Sequence, residues 1–243
     1  MNRREVLGAV TGAALVTTTI GHAAPRKATP PPPLRPVAPG SNALAPLRFD
    51  PAKLPGLSER LLVSHHHNNY GGAIKNLNAV ELELAKVTGT TPGFQVAALR
   101  ERELTFANSV FLHEAYFDNL GDNLGGRGRA EGVFARALVQ QFGSAARWEE
   151  LVRATAMSLG GGSGWVGVAV SARTHDLRIV GSGGHAPALA AGAPVLVLDM
   201  FEHAYALDHG SAHARYVDAF FANLDWSALD RRFARARAAT TTG

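Results

Sequence analysis

Three features of the sequence predict an α+β fold: an N-terminal helical hairpin followed by an α/β domain with a small three-stranded antiparallel sheet. Apolar residues recur at helical spacing up to about residue 159. Three short β-rich runs bounded by glycine and proline follow, and the last third returns to helical spacing. No strand–helix–strand unit repeats, which argues against a parallel sheet. The chain's 243 residues suffice for one or two domains with a sizeable core, and 46% hydrophobic with 18% charged residues is a globular composition.

Residues 1–23 are expected outside the fold. Arg3-Arg4 precede a diluted apolar run from Val6 to Ile20, which ends in the small-x-small segment Gly21-His22-Ala23. A basic start, an apolar middle and such an end make a secretory signal peptide, and the paired arginines resemble a twin-arginine signal. The run falls short of the ~20 apolar residues of a bilayer span, so no stable membrane span is expected after cleavage. The expected location is periplasmic or secreted. Cleavage removes Arg3, Arg4 and Glu5 and lowers the net charge of +4 by one. Residues 24–46 hold Pro25, Pro30 to Pro33, Pro36, Pro39 and Pro46, so they are expected to form a Pro-rich disordered linker.

The hairpin is expected over 47–125. Leu57, Leu61, Leu62, Ile74, Leu77 and Val80 to Leu84 predict one long helix with an interruption at Gly71-Gly72. After a turn from Thr88 to Gly93, a second helix is expected from about Gln95 to Leu120, and Gly121 to Gly128 is a glycine-rich loop. The second part, 126–240, opens with shorter helices near Ala130–Phe142 and Ala145–Leu159. Strands are expected at Trp165–Val170, Asp176–Val180 and Val195–Leu198, then helices at Ala212–Leu224 and Trp226–Ala239. The stretch Gly160 to Gly164 lacks the Lys-Ser/Thr pair of a phosphate loop and leads into a strand, so it reads as a tight turn.

The chain has no cysteine and ten histidines. Disulfides, thiolate-bound clusters and a cysteine nucleophile are excluded, and any metal must be held by His, Asp or Glu. Four patches offer such ligands: His65-His66-His67, His113-Glu114, the run Asp199 to His203, and His185. Asp199 ends the apolar run Pro194 to Leu198, where a carboxylate is costly unless paired or bound to a cation. His203, four residues on, can reach the same ion. Three imidazoles and one carboxylate leave a coordination position open for chemistry. Taken singly, each patch also has an ordinary reading: a solvated His cluster, a capping Asp or a satisfied core His. The basic balance suits steering of a small anion. No basic-aromatic motif points to nucleic acid, and the arginines 231, 232, 235 and 237 read as a solvated face.

In their order along the chain these patches resemble the iron/manganese superoxide dismutases, from about Phe49 to Trp226. Asp199-Met200-Phe201-Glu202-His203-Ala204-Tyr205 resembles the family's Asp-x-Trp-Glu-His-Ala-Tyr, with Phe201 in place of Trp. Gly162-Ser163-Gly164-Trp165 and Phe142-Gly143-Ser144 match family motifs. His113-Glu114-Ala115-Tyr116-Phe117 resembles the stretch holding a second ligand, and Asn223 to Trp226 the family's closing region. The resemblance implies one iron or manganese ion per subunit on His65, His113, Asp199 and His203. Superoxide would be the substrate, disproportionated to dioxygen and hydrogen peroxide. His65 follows from counting back from Leu77-Asn78, whereas an alignment anchored on Tyr70 would put Leu62 at that position.

The resemblance also gives His185 the role of hydrogen-bonding the metal-bound solvent. Trp165, Phe117 and Phe201 become the aromatic wall. Glu202 would reach across the two-fold axis of a homodimer. The family's gateway residues are replaced by Asn69 and Ala73, and the tyrosine after His-Ala-Tyr by Ala206. Tyr70 is the nearby candidate for a replacement hydroxyl. These departures motivate an alternative: a dismutase-like metal-binding or interaction protein with little or no activity. Residue types alone do not separate iron from manganese.

Overall fold

A computed structural model describes residues 38–121, 132–159, 163–185 and 192–241. The expected signal peptide, the linker up to residue 37, most of the Gly121–Gly128 loop and Gly160 to Gly162 lie outside the described residues. Helix α1 (Glu59–Ser64) starts where the Ser58 hydroxyl accepts from Leu61 N–H, a standard side-chain cap. It passes into a π-helical segment, His65–Tyr70, and then into α2 (Gly71–Leu84). The interruption expected at Gly71-Gly72 therefore falls on the preceding six residues instead. The i→i+5 turn is wider than an α-turn and brings residues one and five positions on toward a common face. His65, His66 and Tyr70 are all buried there.

The described residues before Leu47, 38–46, have neither helix nor strand, yet they are tied to the hairpin. Gly40 N–H donates to Glu81 Oε2 at 2.7 Å. Asn42 donates through its backbone and side chain to Asn78 Oδ1 at 2.9 and 2.8 Å, and Asn78 Nδ2 donates back to Asn42 O. The linker boundary expected at 46 is thus too late: hydrogen bonds to α2 hold the chain from Gly40 onward.

Helix α3 (Gly93–Asp118) returns alongside α2 and completes the hairpin. Helices α4 (Val133–Phe142) and α5 (Ala145–Ser158) follow. Phe142-Gly143-Ser144 has a local explanation: Gly143, at φ +84°, ends α4, and the Ser144 hydroxyl caps Arg147 N–H to begin α5. The sheet has the order β2-β1-β3, all antiparallel, from β1 (Trp165–Ser171), β2 (Leu177–Ser182) and β3 (Gly192–Asp199). Trp165 is opposite Ser182 on one side and Asp199 on the other.

Gly164 makes this entry possible. Its φ is +146°, and a Cβ there would lie 2.1 Å from the carbonyl oxygen of Ser182. Gly164→Ala is expected to destabilise the protein by about 1–3 kcal/mol, the range for a forced backbone conformation, read as a lowered urea midpoint.

After β3 come a 3-10 turn at Glu202–Ala204, the short α6 (Ala206–His209), α7 (His213–Ala222) and α8 (Trp226–Thr241). The 3-10 turn and α6 carry too few residues for a periodicity to register. Helices α3 and α8 cover β3, while α5 packs on β1 and β2. The division near residue 125 therefore marks a change of element type rather than a break in packing. Arg231, Arg235 and Arg237 are exposed as expected, but Arg232 turns inward. Its guanidinium donates to the Ala115 and Val195 carbonyls and to Asn119 Oδ1, and pairs with Asp118.

Candidate metal centre

Four side chains from four elements converge where the hairpin meets the sheet. His65 comes from the π segment, His113 from α3, Asp199 from the end of β3 and His203 from the 3-10 turn. Their candidate ligand atoms all lie within 4.8 Å of one another. Asp199 Oδ2 is 3.1 Å from His65 Nε2, 3.1 Å from His203 Nε2 and 3.7 Å from His113 Nε2. Leu62, the alternative first ligand, is a fully buried core residue outside this cluster.

Each ligand is aimed by its neighbours. Asp199 Oδ1 accepts from Phe201 N–H at 2.8 Å, which leaves Oδ2 facing the histidines. The Tyr216 hydroxyl donates to the Asp199 carbonyl at 2.6 Å. His113 Nδ1 lies 2.7 Å from the Ser109 carbonyl and donates its proton there, so Nε2 of the neutral ring is a bare lone pair.

That lone pair tests whether the pocket fits a cation. His113 Nε2 is buried with no hydrogen-bond partner among the described residues and faces a carboxylate oxygen. Two acceptors opposed in a buried site repel; a cation between them turns the repulsion into attraction. The donor set, three imidazoles and a carboxylate, fits a first-row divalent ion.

The protonation states agree. Burial pushes the His113 imidazole down to about 3 and lowers His65 as well. Burial alone would raise the Asp199 carboxyl, but the hydrogen bonds from His203 and His65 outweigh it and hold it below the usual carboxylate range. Burial thus favours the neutral rings of His113 and His65 beside an ionised Asp199. In the metal-free protein, between pH 6.5 and about 3, the unfolded chain binds a proton at His113 that the folded chain refuses. Stability then falls as pH falls through that window, and Asp199 adds to the loss below the ordinary carboxylate range. Chelator-treated protein is expected to show a lower urea midpoint at pH 5 than at pH 7.5.

His185, on the loop after β2, joins the same centre. Trp165 Nε1–H donates to His185 Nδ1 at 2.9 Å, which leaves Nε2 as that ring's donor. Phe201 lies stacked on both His185 and His203, with ring centroids 4.8 and 5.6 Å away. Phe117 packs 4.9 Å from His65 and completes the aromatic wall. Three supports carried no signal in the sequence pattern: the Ser109 carbonyl, the Tyr216 hydroxyl, and Asn108 Nδ2, which donates to the His185 carbonyl. A backbone carbonyl has no residue signature, and a partner on another element has no sequence spacing.

Tyr70 departs from expectation. Its ring stacks on His113, but its hydroxyl donates to Glu114 Oε1 and accepts from Ala45 N–H. Burial, with Glu114 beside it, pushes that hydroxyl up to about 12. It is 1% exposed and fully engaged, so it does not stand in for a gateway hydroxyl. Ala73 is buried on α2, Asn69 is half-buried on the π segment and Ala206 opens α6. Glu202 is exposed beside His203.

A largely buried pocket of three imidazoles and one carboxylate, set between a helical hairpin and a three-stranded sheet, defines a mononuclear metalloprotein. Residues 130–232 match the profile of the iron/manganese superoxide dismutase C-terminal domain. An iron superoxide dismutase of Cupriavidus metallidurans is 46% identical over 194 residues, 79% of this chain and 96% of the relative. A manganese superoxide dismutase of Haloferax volcanii is 31% identical over 81% of this chain and 97% of its own length. An iron enzyme of Saccharolobus solfataricus is 29% identical over 73% and 86%. The chain belongs to the iron/manganese superoxide dismutase family.

Proposed function

We propose that this protein disproportionates superoxide, two O2•− and two protons yielding O2 and H2O2, at one iron or manganese ion held by His65, His113, Asp199 and His203. The observation that carries it is the bare His113 Nε2 facing Asp199, an opposition of two acceptors that a cation between them turns into attraction. The ion supplies one-electron redox chemistry between two oxidation states. The remaining work belongs to the chain. Asp199 and the three rings fix the ion and offset its charge. Trp165 holds His185 in the tautomer whose Nε2–H can hydrogen-bond an oxygen ligand. Phe117, Phe201 and Trp165 keep water from the buried side. His203, with 26% of its side chain exposed against 0–2% for the other three ligands, marks the side open to a small anion.

The reading extends to assembly and location. Exposed Glu202 beside His203 supports a homodimer in which this carboxylate meets the partner's site. The Arg3-Arg4 leader supports export to the periplasm or beyond. No described helix is long and apolar enough to cross a membrane. The losses at Asn69, Ala73 and Ala206 favour one second reading, a metal-binding relative of low activity.

A competition assay for superoxide on metal-loaded protein decides between them. Turnover above that of an equal amount of free ion supports the enzyme; none above it leaves the metal-binding protein. Elemental analysis of protein from its own compartment identifies the ion. Sedimentation of wild type and Glu202→Ala tests the dimer, and N-terminal sequencing of exported protein tests cleavage.

A further inference from the structure

We infer that the segment Gly40–Ala45 is a strap that positions the metal ligands, acting through His66 and Tyr70. The inference rests on the metal-site reading above. One residue of the strap clamps both ends of the π segment. The Ala45 carbonyl accepts from His66 Nε2 at 2.8 Å, and the Ala45 N–H donates to the Tyr70 hydroxyl at 3.1 Å. His66 directly follows the ligand His65, and Tyr70 closes the segment. The Tyr70 hydroxyl then donates to Glu114 Oε1 at 2.8 Å, and Glu114 directly follows the ligand His113. A single hydroxyl therefore joins the strap, the π segment and α3.

The ring of Tyr70 adds a second link, stacking on His113 at 6.1 Å and 17°. The strap is itself anchored. Gly40 and Asn42 are bound to Glu81 and Asn78 of α2, so Ala45 is placed from a rigid helix rather than by a loose tail. A π-turn is an uncommon backbone state that surroundings must hold in place. Besides the bond between the ligands His65 and Asp199, its hydrogen-bonded clamp from outside the hairpin, among the described residues, is the Ala45 backbone. His66 and Tyr70 are thus positioning residues: they touch no reacting atom but set the angle at which His65 and His113 meet the ion.

The test uses full-length protein loaded with iron, and reads both iron transfer to EDTA and the ferric paramagnetic-resonance spectrum. Tyr70→Phe keeps the stacked ring and deletes the joint. Iron release is expected to quicken about tenfold, within the range for residues that orient metal ligands, with a shifted spectrum. Glu114→Gln still offers an acceptor and is expected to stay within about twofold of wild type. Asn42→Ala, remote from the centre, is expected to quicken release in the same direction through the strap alone.

Wild-type rate and spectrum in both Tyr70→Phe and Asn42→Ala would overturn the inference. A lowered melting temperature with unchanged release and spectrum would overturn it too, since the strap would then serve stability alone. Failure of the wild type itself to give a bound-iron spectrum would instead overturn the metal-site reading.

Discussion

Asp199→Ala is expected to leave the purified protein with less than about a tenth of an ion per subunit and no dismutation, because metal affinity should fall by more than the ~100-fold upper range for residues that merely support ligands. The carboxylate is fully buried, and its Oδ2 lies within 4 Å of all three histidine Nε2 atoms. Without it the pocket holds three neutral rings, two of them lowered in basicity by burial, and no anion to offset a dication. Water cannot easily take the place of the lost oxygen, since Phe117 and Trp165 wall the site. Asp199→Asn separates charge from shape: it can keep the acceptor for Phe201 N–H but loses the charge, and should retain more metal than the alanine variant. Elemental analysis checks both. Stoichiometric iron or manganese in Asp199→Ala would sink the proposed centre.

The second large effect is on stability. Arg232→Met is expected to cost about 3–5 kcal/mol, the range for breaking a buried charged pair from one side. The Arg232 side chain is only 12% exposed and joins α8 to α3 and β3. It donates to the Ala115 carbonyl at 2.9 Å, Asn119 Oδ1 at 3.0 Å and the Val195 carbonyl at 3.3 Å, besides pairing with Asp118. Methionine fills the space but satisfies none of these acceptors. Among the described residues Asp118 would keep the exposed Arg48 as its ion-pair partner. Urea unfolding of wild type and variant at equal metal loading measures the difference, since bound ion stabilises whichever protein retains it. A change below about 1 kcal/mol would show that the network is an incidental surface cluster.

Much of this molecule was legible along the chain. The longer helices and the three antiparallel strands follow from period and punctuation, with ends within a few residues. The Gly-Ser-Gly-Trp and Phe-Gly-Ser motifs proved to be local devices: a glycine where a Cβ would strike Ser182, and a helix stop joined to a helix start. Arg232 and Tyr70 were misread for a common reason. A run of arginines on a terminal helix resembles a solvated face, and a tyrosine beside a lost gateway resembles its substitute. Direction decides both cases, and direction depends on what packs against the helix.

The sequence by itself determined the longer helices and the three strands, the absence of thiol chemistry, the four candidate ligands and the family resemblance. These properties reside in residue types and in spacings of a few positions. Only the tertiary structure decided that the ligands meet, that His65 reaches Asp199 from 134 positions away, and that a π-turn rather than a glycine pair breaks the first helix. It also decided that the end of the proline-rich segment is bound to the hairpin. Convergence of this kind depends on how helices and sheet bury one another, and no local period encodes it.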